Sequence, residues 1–151
     1  MSIPQLPNII AMKTLFLLLM GIIACVYTGC TDGQANLNVT RKIFDAFNAH
    51  DWPGMLSHYA DTATFEDPEF AVPVRGRAAM EKHHRELHAM VPNIRDSIRT
   101  ITAVHNKVVI EFISTGTTSN GEHFALPICT VLTFNNGKVI HDATYYSNCQ
   151  Q

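Results

Sequence analysis

The first patterned segment of the chain is an apolar run near the amino terminus. Residues 14–27 (TLFLLLMGIIACVY) are almost wholly apolar, and Lys13 stands just before them. A basic residue followed by an apolar run of about 7–15 residues is typical of a signal peptide, whereas a membrane-spanning helix needs about 20 such residues. We therefore expect residues 1–30 to be an export signal, with Met12 as an alternative start.

The end of this apolar run resembles a bacterial lipobox, because Gly29 directly precedes Cys30. The cysteine of a lipobox is acylated and becomes the mature N-terminus, so we expect lipidation at Cys30 and a membrane-anchored lipoprotein of the cell envelope. Tyr27 departs from the usual leucine, and simple cleavage near Gly29, giving a periplasmic or secreted protein, is the alternative. The polar residues 31–37 are predicted to form a short tether.

Beyond the tether, three segments have apolar residues at helical spacing. The first helix is predicted over residues 38–49. The second is short and begins after Asp51, whose side chain can cap it, with Pro53 in its first turn. The third is predicted over residues 77–90, with Pro92 beyond its end.

Strand patterns dominate the rest of the chain. Residues 62–68 alternate between apolar and polar and predict a short strand that Pro68 closes. Four β-branched and aromatic runs follow Pro92, over residues 94–104, 108–118, 123–134 and 138–147. Helices followed by a meander predict an α+β domain over residues 38–148, with three helices packed on one face of a curved antiparallel sheet.

The turns between these strands predict a register. Residues 120–121 (Asn-Gly) favour a two-residue hairpin, which places Glu111 opposite Thr130. Residues 135–137 suit a three-residue loop, which places Thr130 opposite Asp142. We therefore expect these three side chains to form one polar row on the buried face. A register error of one residue would turn Glu111 or Asp142 outward instead.

The same register predicts an apolar outer face. Val108, Ile110 and Phe112 would share the outer face of their strand. A sheet that is apolar on both faces needs a second covering layer. We therefore expect a homodimer through this outer face.

Composition narrows the possible functions. The chain has 151 residues, a formal charge of −2 and a pI near 6.4, without a basic stripe, so we expect one domain and no nucleic-acid partner. His84 and His88 have a spacing that suits a metal, but no cysteine or carboxylate obviously completes a site, and we predict none. No phosphate-binding glycine loop occurs in the sequence, and we predict no cofactor.

Two segments carry a family resemblance. Residues 59–68 (YADTATFEDP) resemble the segment of ketosteroid isomerase that holds its general base, and residues 76–93 resemble the third helix of SnoaL-like proteins. The likeness spans about residues 39–147 and identifies the domain as similar to the SnoaL-like branch of the nuclear transport factor 2 superfamily. This resemblance implies a cone-shaped, cystatin-like α+β barrel, a scaffold that hosts isomerases, polyketide cyclases, dehydratases, epoxide hydrolases and non-catalytic binders.

Some functional residues of ketosteroid isomerase have a counterpart in this chain, and others are replaced. Asp67 matches the general-base aspartate of the isomerase, and Tyr59 matches a supporting tyrosine. The tyrosine and aspartate of its oxyanion hole are replaced by Ile43 and Thr130, which disfavours steroid isomerisation itself. His84 replaces a second supporting tyrosine.

The last strand supplies one more candidate acid. Relatives often have an aspartate where this chain has Thr144, and Asp142 lies two residues away on the same face. The candidate catalytic residues are therefore Asp67, His84 and Asp142. The residues expected to line the cavity or bind a ligand are Ile43, Tyr59, Glu111, Ile128, Thr130, Thr144 and Tyr146.

Each catalytic candidate also has a structural interpretation. Asp67 follows an apolar strand face, which suits a base in a dry site, but it could simply cap a loop at the rim. His84 lies on the inward stripe of its helix and could be a satisfied core histidine.

Three functions follow from these residues. The first is a cofactor-free enzyme that transfers a proton or adds water to a hydrophobic small molecule, with Asp67 as base and His84 or Asp142 as acid or orienter. The second is a non-catalytic pocket for a hydrophobic ligand. The third is a dimeric structural module.

Overall fold

The structure, a computed structural model, describes residues 28–147, and those from Asp32 onward belong to one compact unit. The apolar run 14–27 lies outside the described residues, so the signal peptide and the acylation of Cys30 stay predictions. Within the described residues, no helix is both long and apolar enough to span a bilayer.

The helices are α1 (Thr28–Asn48), α2 (Trp52–Leu56) and α3 (Arg77–Met90). The third has the predicted bounds. The first begins ten residues earlier than predicted, because residues 31–37 continue the helix rather than forming an irregular tether. Asn36 and Thr40 are buried there, and the Thr40 hydroxyl donates to the Asn36 carbonyl at 2.9 Å.

Helix α2 starts where its sequence predicts. The Asp51 side chain accepts a hydrogen bond from the Gly54 amide at 3.0 Å, and Pro53 occupies the first turn, where it lacks only an amide that needs no helical partner. The helix buries Trp52 and Met55 against the core.

The strands are β1 (Tyr59–Glu66), β2 (Val74–Arg75), β3 (Arg95–Val104), β4 (Lys107–Thr117), β5 (His123–Asn135) and β6 (Lys138–Tyr145). They form one sheet in the order β2-β1-β6-β5-β4-β3. The α+β prediction is confirmed, with three helices on a curved sheet. The sheet is mixed, because β1 pairs in parallel with β6 while the other neighbours are antiparallel.

The register between β4 and β5 differs by one residue from the prediction. The connection holds three residues, 119–121, because the Thr118 amide donates to the Glu122 carbonyl at 2.9 Å and Gly121 takes a left-handed φ of 88°. Glu111 therefore pairs with Cys129 and lies exposed on the outer face. The predicted inward position of Glu111 is wrong.

The same shift turns the predicted outer stripe inward. Val108 and Ile110 are 0% exposed, and the Phe112 ring packs edge-on against Phe44 of α1 with centroids 5.0 Å apart. These residues form the core, so the prediction that they lie on the outer face as a dimer surface is wrong. The homodimer itself stays a prediction.

The connection between β5 and β6 also differs, but it preserves the predicted face. Residues 136–137 form a two-residue turn with φ values of 50° and 73°, and a β-bulge at Ile140 adds one further residue. Asp142 consequently pairs with Leu132 rather than with Thr130. Because the two shifts together equal one strand period, Asp142 still points inward.

Candidate active site

A cavity of about 160 Å³ lies between the helices and the concave face of the sheet. Its wall is mostly apolar and includes Phe44, Leu87 and Phe112. Such a space suits a small hydrophobic molecule whose orientation a few polar groups fix. The ionisable groups in the wall that matter for acid–base chemistry are Asp67, His84, Asp96 and Asp142.

Asp142 receives two side-chain hydrogen bonds inside the cavity. The Tyr59 hydroxyl donates to its Oδ2 atom at 2.8 Å, and the Thr144 hydroxyl donates to Oδ1 at a longer 3.4 Å. Thr144 also shares a 2.7 Å hydrogen bond with Thr130 on the neighbouring strand. Burial raises the pKa of Asp142 to about 6, the donors oppose this rise, and the negative charge of Asp67 adds to it. Asp142 can therefore exchange a proton near neutral pH.

Tyr59 acts as a fixed donor in this network. Its side chain is buried and stacks on Phe65 with ring centroids 5.2 Å apart. Burial raises the pKa of Tyr59 well above its ordinary value, and the adjacent Asp142 raises it further. The phenol consequently keeps its proton and holds Asp142 in place.

Asp67 follows the end of β1 and lies at the rim of the cavity, where it also accepts a hydrogen bond from its own loop. Its Oδ1 atom accepts from the Tyr146 hydroxyl at 2.7 Å and from the Glu69 amide at 2.9 Å. Burial raises the pKa of Tyr146, and its hydrogen bond to Asp67 raises it further. Asp67 thus closes a loop and also contributes to the cavity wall.

His84 projects from α3 into the cavity wall with a defined tautomer. Its Nδ1 atom lies 2.8 Å from the Met80 carbonyl, which can only accept, so Nδ1 carries the proton and Nε2 is an acceptor. Burial lowers the pKa of His84 to about 4 despite that hydrogen bond, and the ring contacts Phe47 and Trp52. His84 is therefore neutral at pH 7.

Asp96, on β3, is the acidic residue that sequence reasoning missed. Burial raises its pKa to about 7, against the effect of a hydrogen bond from Ser114. No motif marks this position. The signal was the alternation of Ile94, Asp96 and Ile98, which share one face of the strand, while Arg95 between them is exposed.

The other predicted site residues fall into two groups. Ile43, Ile128, Thr130 and Thr144 line the cavity. Tyr146 does not line it but donates a hydrogen bond to Asp67, and Glu111 lies on the opposite face of the sheet. In the part of the chain that the structure describes, no three histidine, cysteine or carboxylate side chains are grouped as metal ligands.

Comparison with solved structures gives the same fold. An NTF2-like protein of unknown function from Burkholderia pseudomallei superposes with a TM-score of 0.70 at 18% identity, covering 75% of this chain and 91% of that one. A protein with a ketosteroid isomerase-like fold from Catenulispora acidiphila, in complex with trimethylamine, gives 0.68 at 21%, covering 73% and 85%. An epoxide hydrolase of M. tuberculosis gives 0.66 at 16%, covering 76% and 84%.

Sequence comparison identifies the family. No curated protein matches this chain. The family model described as a SnoaL-like domain matches residues 40–141. This range includes α2, α3 and strands β1 to β5 in full. Asp67, His84 and Asp96 lie inside it, and Asp142 lies just after it. This match covers more than half of the chain. The chain therefore belongs to the SnoaL-like domain family.

Proposed function

We propose that this domain is an enzyme that transfers a proton on a hydrophobic small molecule held in the cavity. The observation that carries the proposal is that two carboxyl groups, those of Asp67 and Asp142, line the same mostly apolar cavity. Charges are costly in such surroundings, and burial raises the pKa of Asp142 to about 6, which is within the range that general acid–base catalysis requires.

The roles of the two acids follow from their surroundings. Asp67 accepts hydrogen bonds at Oδ1 from the hydroxyl of Tyr146 and the amide of Glu69, which fix the position of its carboxyl group. Its negative charge favours the proton on Asp142. We assign Asp67 as the base that takes a proton from a carbon next to a carbonyl. Protonated Asp142, the form that prevails below about pH 6, then donates a hydrogen bond to the carbonyl oxygen, on which negative charge develops.

His84 fits an orienting role. It is neutral at pH 7, and its Nε2 atom can accept a hydrogen bond from a substrate hydroxyl or from a water molecule. Addition of water to an activated ring is the second reaction that these groups could support, since an oriented water and a carboxylate base are its essential parts.

Non-catalytic binding of a hydrophobic ligand is the alternative. The observation that favours it is that Ile43, an apolar residue, occupies the position of the expected oxyanion-hole tyrosine in the cavity wall. An enzyme of this type would then depend on Asp142 alone for stabilising the oxyanion.

Paired substitutions at neighbouring acids test the proposal. Asp67→Asn keeps the size of the side chain and removes the proton acceptor, so turnover should fall by about 10²–10⁴ with folding unchanged. Glu66→Gln is the matched control, because Glu66 is exposed and does not line the cavity. Its Oε1 atom lies 3.1 Å from His141 Nε2. The assay is a screen of small enolisable ketones and epoxides for turnover by the purified domain.

Equal losses from both substitutions, or full activity in Asp67→Asn, would contradict the assignment of Asp67 as base. If no compound in the screen turns over while several bind, the ligand-binding function becomes the better account. Binding is followed by the ¹³C resonances of the Asp67 and Asp142 carboxyl groups.

A further inference from the structure

The Asp96 carboxyl is not needed for the contacts that hold its strand in place. The Asp96 backbone is clamped to the end of α1, because its amide donates to Asn48 Oδ1 at 2.8 Å and its carbonyl accepts from Asn48 Nδ2 at 2.9 Å. His50 Nε2 lies 3.1 Å from the Ile94 carbonyl and fixes the same segment. Since these bonds use only backbone atoms of Ile94 and Asp96, any residue other than proline at position 96 could make them.

The carboxyl group itself is incompletely satisfied. Ser114, directly opposite on β4, supplies its side-chain hydrogen bond, and the Oδ1 atom is buried without a partner. An unpaired buried polar atom is costly and is rare in native proteins. Asp96 and Ser114 both line the cavity, so a molecule in the cavity can supply the missing partner.

Asp96 lies across the cavity from the proposed reaction centre. Strand β3, which carries Asp96, is three strands from β6, which carries Asp142. With about 4.8 Å between neighbouring strands, the two positions are about 14 Å apart along the sheet, and curvature shortens the direct path. Phe112, Ile128 and Leu132 form an apolar wall between them. The cavity therefore has two polar ends and an apolar middle.

We propose that Asp96, together with Ser114, is a specificity-determining site that binds a hydroxyl group at the end of the substrate remote from the reacting carbonyl. A hydroxyl fits because it brings one donor to the unpaired Oδ1 atom. An ammonium group fits less well, because it brings three donors. Among the described lining residues, only the side chains of Asp96 and Ser114 are polar at this end. The substrate class is thus a hydrophobic ketone with a distal alcohol or phenol, and this inference rests on the proposed function.

Two ketones that differ only at the distal end test the site. 6-Hydroxy-2-acetonaphthone carries the hydroxyl and 2-acetonaphthone lacks it, and their Kd values for the domain are measured by NMR titration. The hydroxyl should strengthen binding to the wild-type domain by about tenfold, since it satisfies a buried acceptor. In Asp96→Ala this ratio should fall to about one, because the acceptor is gone.

Matched variants separate the site from general effects. Glu111→Gln changes an acid on the outer face of the same sheet and should leave the ratio unchanged. Asp96→Leu, which has the same branched arrangement of side-chain heavy atoms and no polar atoms, replaces Asp96→Ala if that variant does not fold, and should also give a ratio of about one.

The outcomes are distinguishable from those of the proposed function. An equal ratio in the wild type and in Asp96→Ala or Asp96→Leu overturns the hydroxyl site while leaving the roles of Asp67 and Asp142 untouched. Failure of both ketones to bind the wild-type domain overturns the substrate class named here. The Asp67→Asn and Glu66→Gln comparison judges catalysis independently of either result.

Discussion

Buried carboxyl groups make the stability of this domain depend on pH. Asp142 has an ordinary pKa of 3.8 and a folded-state pKa of about 6, so between these values the folded state binds more protons than the unfolded state. Its contribution to stability is therefore present below pH 4 and is lost as the pH rises through about 6. The loss amounts to about 3 kcal/mol, as an order of magnitude, at 1.36 kcal/mol for each pKa unit.

We expect Asp142→Asn to reverse this loss. The free energy of unfolding of the variant, relative to wild type, should increase between pH 4.5 and pH 7.5, because the amide has no charge to bury. Urea denaturation at the two pH values measures the difference. His84 has a pKa lowered to about 4, which acts in the opposite direction, but it is present in both proteins and cancels.

Asp45→Asn, on the exposed face of α1, is the control for this comparison. An identical pH dependence in Asp142→Asn and wild type would mean that Asp142 is ionised in the folded state without cost. The assignment of Asp142 as the protonated donor and Asp67 as the base would then be wrong.

At the scale of single residues, most of the site residues predicted from the sequence line the candidate cavity. Asp67 was found through its motif and Tyr59 through the same segment, since both lie in a short, characteristic stretch. Asp96 was missed because its neighbours carry no motif, and its role depends on Ser114, 18 positions later. A contact between distant strands is visible only once their register is known.

Among the elements, close packing of β4 against Val91, which follows α3, and against Phe124 of β5 has a testable consequence. A methyl group added at Gly116 would collide with the Val91 side chain and would lie 3.0 Å from the Phe124 ring. Gly116→Ala should therefore lower the free energy of unfolding by about 1–3 kcal/mol, measured by urea denaturation.

The same substitution elsewhere should have the opposite effect. At Gly33 in α1 an added methyl would meet Ala103 at 3.6 Å, an ordinary contact, and alanine favours the helix. Gly33→Ala should stabilise the domain by about 0.5–1 kcal/mol. Destabilisation by both variants would indicate that β4 and α1 are packed differently.

Turns were the least predictable elements. The β4–β5 and β5–β6 turns each contain an Asn-Gly pair. The sequence predicts two loop residues for the first and three for the second, whereas the structure has three and two. The Thr118 hydroxyl, which bonds to the amide and carbonyl of Glu122, helps to set the longer loop between β4 and β5. Because a one-residue difference inverts a strand, this error moved Glu111 to the wrong face, whereas the bulge at Ile140 restored the face of Asp142.

For the whole molecule, we propose that the mature chain begins at an acylated Cys30 and is held at the membrane. The basis is the sequence pattern of residues 13–30. Mass spectrometry of protein isolated from bacterial membranes should find a diacylglyceryl group on Cys30, and Cys30→Ser should abolish both this modification and cleavage before position 30. An unmodified N-terminus created by cleavage near Gly29 would contradict lipidation and support simple secretion.

The fold class was predictable at this scale because three amphipathic helices followed by a meander admit few arrangements. The position of β1 was not. Its sequence predicts a strand, but its alternation does not tell which edge of the sheet it joins, and the parallel pairing with β6 depends on the finished meander.

That parallel pairing also determines the order in which the site can assemble. The hydrogen bond from Tyr59 to Asp142 joins residues 83 positions apart, and the bond from Tyr146 to Asp67 joins residues 79 apart. Strands β3 to β6 are linked by short turns and can pair locally, whereas β1 must close a long loop to reach β6. Pulse-labelled hydrogen exchange should show the amides of β4 and β5 protected before those of β1. The two carboxylates assigned to catalysis would then be the last groups to meet during folding, and the first to separate when the domain opens locally.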